Sequence, residues 1–126
     1  MPDSSVGQFR VPIEFASHPA GPFRRIQALV DTGATYTWLP GELLEDLGMT
    51  PDEERVFVLA DGRERSYGIG WTHVRVAGRK AQPTIVVFGE SGSEALLGAF
   101  TLEGFGLAAD PLNRRLIPVP GLLKSA

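Results

Sequence analysis

Glycine and proline recur along this chain at such short intervals that only short elements fit between them. No other feature constrains the fold as much. There are 15 glycines and 10 prolines among 126 residues. The runs between them are apolar or alternating: Phe9 to Phe15, Phe23 to Val30, Arg55 to Leu59, Trp71 to Val76 and Thr84 to Phe88. Trp71-Thr-His-Val-Arg-Val76 has the period-two pattern of a half-buried strand, with His73 expected to face solvent. Thr84-Ile-Val-Val-Phe88 is a continuous β-branched and aromatic run, which suits a strand covered on both faces. The chain therefore reads as mostly β.

Two short helices are expected to interrupt the strands. Pro40-Gly-Glu-Leu-Leu-Glu-Asp-Leu-Gly48 opens with a proline and an acid, aligns Leu43, Leu44 and Leu47 on one face, and closes at a glycine. Leu96 to Gly106 is apolar on most faces and predicts a buried helix whose two internal glycines blur its length. Asp61-Gly62, between Val56–Ala60 and Arg63–Tyr67, predicts a hairpin with a polar tip. Asp110-Pro-Leu-Asn113 predicts a second, architectural hairpin.

Composition narrows the class. With 43% hydrophobic residues, the chain can bury one core without staples. It has no cysteine, which excludes disulfides, thiolate chemistry and zinc–sulfur sites. A net charge of -3 offers no electrostatic footprint for nucleic acid, and the pairs Arg24-Arg25 and Arg114-Arg115 read as solvated turn or edge residues. The first ten residues lack the pattern of a signal peptide, and no apolar run approaches a membrane span. A soluble cytoplasmic protein with no membrane or nucleic-acid partner is the expectation. His18 and His73 have no ligand spacing, Ser91-Gly-Ser93 lacks the setting of a nucleophile elbow, and no phosphate loop is present. Neither a metal nor a cofactor is expected. Trp38 and Trp71 read as core or interface aromatics.

The chemistry concentrates at Ala28-Leu-Val-Asp-Thr-Gly-Ala-Thr35. A strand becomes more apolar toward its end and then delivers the carboxylate of Asp31 into a loop. A carboxylate there needs hydrogen bonds or a partner charge. Thr32 can supply a hydroxyl, and Gly33 lets backbone amides approach closely. Taken alone, the tripeptide fits a turn-closing acid as well as a catalytic one.

The order of features around it resembles the aspartic proteases of the retropepsin type, in particular the small single-domain members of bacteria. Asp31-Thr32-Gly33-Ala34 is followed by a short helix. The Asp61-Gly62 hairpin stands where that family places its flap, and Leu96-Leu97-Gly98 matches its second signature, two apolar residues and a glycine. Leu107 to Ile117 stands where it has a closing hairpin. The likeness covers one domain, residues 8–119, with 1–7 and 120–126 left as flexible or interface-forming ends. It implies an acid-protease single lobe, a closed retropepsin-like β-barrel with one or two short helices.

Roles follow from the resemblance residue by residue. Asp31 would be the catalytic acid/base, and Thr32 and Gly33 would support the active-site loop, with Thr32 bonding across a dimer. Ala34, Thr35 and the flap residues Asp61, Gly62 and Arg63 would meet a peptide or protein substrate. Leu97 and Gly98 would brace the loop from beneath. Peptide hydrolysis of this type uses two carboxylates that share a proton. No other aspartate here has a comparable setting, so the second must come from another copy in a homodimer. One departure stands out: Thr35 and Tyr36 occupy places where retroviral members usually carry further acids that grip the substrate backbone. The flap candidate is also short and polar. A non-catalytic dimeric binding or scaffolding domain of the same fold is therefore the alternative.

Overall fold

A computed structural model describes residues 8–120. It is mostly β, with two short helices and a closed barrel of six strands. The strands β1 (Arg10–Ala16), β2 (Arg24–Val30) and β3 (Thr37–Pro40) come first, followed by α1 (Gly41–Asp46). Next are β4 (Glu53–Val58), β5 (Glu64–Val76), β6 (Gln82–Gly89) and β7 (Ala95–Leu97). The helix α2 (Ala99–Gly104) and the hairpin β8 (Leu107–Asp110) and β9 (Arg115–Pro118) end the described chain.

The sheet order is β1-β2-β7-β3-β6-β5-β4, and an additional β1–β5 pairing closes the ring. β4 stays outside that ring, attached only to the first half of β5. Closure follows from β5, which serves three neighbours in turn. Glu64 to Ile69 pair with β4, Ile69 to Val74 with β6, and His73 to Val76 with β1. Such a strand must bend, and it carries glycines at 68 and 70, where the partner changes. A side-chain carbon at Gly68 would lie 2.5 Å from the Pro51 ring. That proline leads into β4, so the hairpin is anchored at its base.

Inside the barrel, alternation holds strand by strand. Ile13 and Phe15 of β1, Ala28 and Val30 of β2, and Val74 and Val76 of β5 point inward and meet Leu39, Leu97 and Leu102. Strand β6 is buried along most of its length, as its unbroken apolar run predicts. α1 packs Leu44 onto this core, and the Gly48 N–H closes its end on the Glu45 carbonyl at 2.8 Å. Among the described residues no helix is long and apolar enough to cross a membrane.

Three expectations need correction. Leu96 and Leu97 do not begin a helix: they form β7, because the barrel inserts this segment between β2 and β3, and the helix is confined to Ala99–Gly104. The two strands expected on either side of Gly68 and Gly70 are one bent strand. β3 had no pattern of its own in the sequence, since four residues are too few to show a period. His73 is half-buried rather than solvent-facing, with Nδ1 enclosed and unpartnered, because β1 crosses β5 there. Trp71 lies on the outer face, 57% exposed. The end segments 1–7 and 121–126 lie outside the described residues.

The closing hairpin forms its own two-stranded sheet. Asp110 accepts from the Asn113 N–H at 3.2 Å and from Asn113 Nδ2 at 2.8 Å. These bonds hold its carboxyl below the ordinary range. Their contribution to stability is therefore present at neutral pH and fades as acid protonates the group.

The bend in β5 makes a specific demand. Gly68→Ala is expected to lower stability by about 1–3 kcal/mol, since the Pro51 ring cannot yield without moving the start of β4. Urea denaturation measures it, and an unchanged midpoint would show that the close approach carries no weight.

Candidate active site

Asp31 sits at the point where β2 leaves the sheet. β2 runs parallel to β7, with Val30 opposite Leu97, and the Asp31 N–H extends this ladder by donating to the Leu97 carbonyl at 3.0 Å. The chain then turns sharply. The Ala34 N–H donates to the Asp31 carbonyl at 3.1 Å, and the Gly33 N–H donates to Asp31 Oδ1 at 3.0 Å. The second bond is the local turn an aspartate makes with the residue two places on. It holds the carboxylate at the strand end in one orientation.

The loop is supported from below by the segment around Gly98. The Ala99 N–H donates to the Ala34 carbonyl and the Phe100 N–H to the Thr35 carbonyl, both at 2.8 Å. First-turn amides of α2, which have no partners within their helix, thus clamp the loop that follows Asp31. Gly98 itself permits the approach. A side-chain carbon there would lie 2.5 Å from the Tyr36 carbonyl group and 2.9 Å from the Ala34 oxygen.

Three buried threonines complete the brace. Thr101 Oγ1 lies 2.6 Å from Thr37 Oγ1 and 2.8 Å from Thr84 Oγ1. Thr37 Oγ1 also accepts from the Gly98 N–H at 3.1 Å. The hydroxyl chain ties β3, β6 and α2 to the base of the loop, and a buried hydroxyl needs such partners. The sequence shows the residues but not that topology gathers them.

A cavity of about 600 Å³ opens above Asp31. Gly33, Ala34, Thr35 and Tyr36 form one side of it. The β4–β5 hairpin covers the other with Arg55, Phe57, Val58, Leu59 and Ala60. Trp38 and Leu96 close the end, and Asp31 and Arg55 are the charged lining residues. Trp38 meets the rings of Phe57 and Tyr67 edge-on at 5.2 and 4.9 Å, a small aromatic cluster between β3 and the hairpin. Arg55 Nη1 donates to the Tyr36 hydroxyl at 3.2 Å, and its guanidinium lies 5.8 Å from the Tyr36 ring centre. The Tyr67 hydroxyl donates to Glu90 at 2.8 Å, and that bond pushes the phenol above its ordinary range.

The residues singled out from sequence are placed as follows. Asp31, Gly33, Ala34 and Thr35 line one cavity, while Thr32 is exposed beside it. Asp61, Gly62 and Arg63 form the hairpin tip and do not line the cavity. Asp61 accepts from the Arg63 N–H at 3.0 Å and from Arg63 Nε at 2.7 Å, so the two side chains stiffen the turn. The lining is supplied by Val58, Leu59 and Ala60, one step earlier. Arg55, Phe57, Tyr36 and Trp38 were not among the candidates for this role. Period-two spacing within β4, which sets Arg55 and Phe57 on one face, is the signal that could have found the first two.

Comparison with known proteins agrees with this geometry. The family model described as gag-polyprotein putative aspartyl protease matches residues 23–103. No curated protein sequence matches the chain. Among solved structures it is similar to a retropepsin-like aspartic protease from Rickettsia conorii, at 25% identity and TM-score 0.54, over 82% of this chain and 84% of that one. The protease of simian foamy virus (mac) gives 20% identity and TM-score 0.56, over 76% and 93% of the two chains. The retroviral protease-like domain of Ddi1 from Leishmania major gives 17% and 0.55, over 87% and 88%.

The brace under the loop is testable. Thr101→Val removes two hydrogen bonds at nearly constant volume and leaves Thr37 and Thr84 short of a partner, so a loss of about 1–3 kcal/mol is expected by denaturation. Thr101→Ser, which keeps the hydroxyl, should retain most of that stability.

Proposed function

The chain belongs to the gag-polyprotein aspartyl protease family, and we propose that it works as a homodimeric aspartic endopeptidase with Asp31 of each protomer at the two-fold axis. The observation that carries this reading is the setting of Asp31. A single carboxylate, held by the Gly33 N–H at the end of a buried strand, faces a cavity roofed by a hairpin. One lobe supplies one such group, and the chemistry calls for two.

In the dimer, one carboxylate is ionised and its mate holds a proton, because two adjacent like charges do not both ionise readily. The ionised group takes a proton from a bound water as the water oxygen attacks the scissile carbonyl carbon. The protonated group donates to the carbonyl oxygen and stabilises the tetrahedral intermediate. Proton return to the amide nitrogen lets the C–N bond break and releases an amine and a carboxylic acid.

The remaining residues position rather than react. Thr32, exposed on the single chain, would bond its counterpart's loop across the axis. Gly33, Ala34 and Thr35 form the wall along which an extended peptide lies. Tyr36, Trp38 and Phe57 favour large apolar side chains in the neighbouring subsites. The Asp61–Arg63 tip stiffens the hairpin that covers the substrate.

A dimeric binding or scaffolding domain without efficient proteolysis is the second reading. Thr35 and Tyr36, standing in place of substrate-gripping acids, favour it. Asp31→Asn separates the two. Loss of peptide cleavage by about a thousandfold or more, with the dimer retained by ultracentrifugation, is the expected outcome for an enzyme. Unchanged cleavage or unchanged biological output in that variant would rule the protease out.

A further inference from the structure

The described chain has a second cavity, larger than the one above Asp31. A cleft of about 750 Å³ opens where β1 outruns β5. β1 pairs with β5 only from Ile13 onward, so Val11 and Pro12, paired with β2 on one side, have no strand partner on the β5 side and line the cleft. The turn after β5 and the tip of the β8–β9 hairpin form its other walls. The cleft shares no lining residue with the cavity at Asp31.

Its lining is unusual for a chain of net charge -3. Arg25, Arg75, Arg79, Arg114 and Arg115 surround it, against the single carboxylate Glu14. These arginines come from β2, β5, the β5–β6 turn and the β8–β9 turn with its following strand, four places brought together only by the fold. Three of them, Arg25, Arg114 and Arg115, belong to the two arginine pairs that look like solvated turn or edge residues in the sequence. Local charges are partly used: Arg75 Nε lies 3.2 Å from Glu14 Oε1, and its guanidinium stacks 3.6 Å above the Phe23 ring. Arg115 Nε lies 3.5 Å from Asp110. Among the described residues Arg25, Arg79 and Arg114 make no ion pair. The floor is apolar, made by Val11, Pro12, Val76 and Leu116.

We propose that this cleft is a docking site for an acidic stretch of polypeptide, held by arginine–carboxylate pairs over an apolar floor. Arginine clusters recognise acidic segments by forked, charge-assisted hydrogen bonds. The guanidinium groups ring the cleft from several elements, which suits carboxylates spaced along a chain and not one compact anion. The apolar floor gives an intervening leucine or valine somewhere to bury. Nucleic acid fits less well, since no aromatic residue lines the cleft to stack a base. The proposal holds whether or not Asp31 is catalytic.

The test is fluorescence anisotropy of a labelled peptide alternating glutamate with leucine, against the same peptide with glutamine for glutamate. The full chain is used, with Asp31→Asn as background so that cleavage cannot consume the probe. The glutamate peptide should bind, weaken as salt rises, and outbind the glutamine peptide about tenfold. Arg79→Glu combined with Arg114→Asn should weaken it about tenfold while circular dichroism and hydrodynamic size stay unchanged. Asparagine is chosen because Arg114 has a φ of 56°. If that pair unfolds the chain, Arg79→Gln alone gives the same readout, a smaller loss. Equal binding of the two peptides, or no loss in a folded variant, overturns the proposal. So does displacement by millimolar inorganic phosphate, or tighter binding of a single-stranded RNA of equal charge.

Discussion

The structure turns on a three-residue strand threaded between two others. β7 lies parallel to β2 and antiparallel to β3, and the chain then enters α2 through Gly98. That crossing places the Leu97 carbonyl under the Asp31 N–H and the α2 amides under the Ala34 and Thr35 carbonyls. β7 is one of the six strands of the ring and the link between β2 and β3. Without it the carboxylate at the strand end would lose the bonds that hold its loop backbone from below. The approach at Gly98 is so close that any side chain would displace the loop.

The hydroxyl chain of Thr37, Thr84 and Thr101 shows how this crossing is specified rather than merely filled. Leucine or valine at those places would pack, but would not fix the position of the Gly98 amide. A buried hydroxyl without partners is costly, so each threonine favours the one arrangement that satisfies all three. The polar groups select the loop geometry, while fully buried apolar residues such as Phe15, Leu39 and Leu97 supply hydrophobic burial around it.

Much of this was legible in the chain. The strand ending at Val30 announced itself by a rising apolar gradient, the helix after Pro40 by its leucine face, and the hairpins by Asp61-Gly62 and Asp110-Pro111. Asp31 and its neighbours stood out because a carboxylate closing an apolar run needs a reason. What sequence patterns missed were features made by partners distant in the chain. Leu96 and Leu97 look helical in isolation and become a strand only because β2 and β3 flank them. Thr37–Pro40 is too short to show periodicity. The arginines of the second cleft are separated by up to ninety residues, so no local pattern joins them. Asp61, Gly62 and Arg63 drew attention as a turn, but the hairpin offers the cavity the residues just before them.

One lobe, one carboxylate and one covering hairpin make the central claim quaternary: the working site is completed by a second copy. Mixing wild-type protein with its Asp31→Asn variant, under conditions that let subunits exchange, tests that claim most directly. If each site needs Asp31 from both protomers, cleavage falls as the square of the wild-type fraction, to about one quarter of the all-wild-type rate in an equal mixture. A linear fall, to about one half, would mean that each chain works alone and would contradict the account.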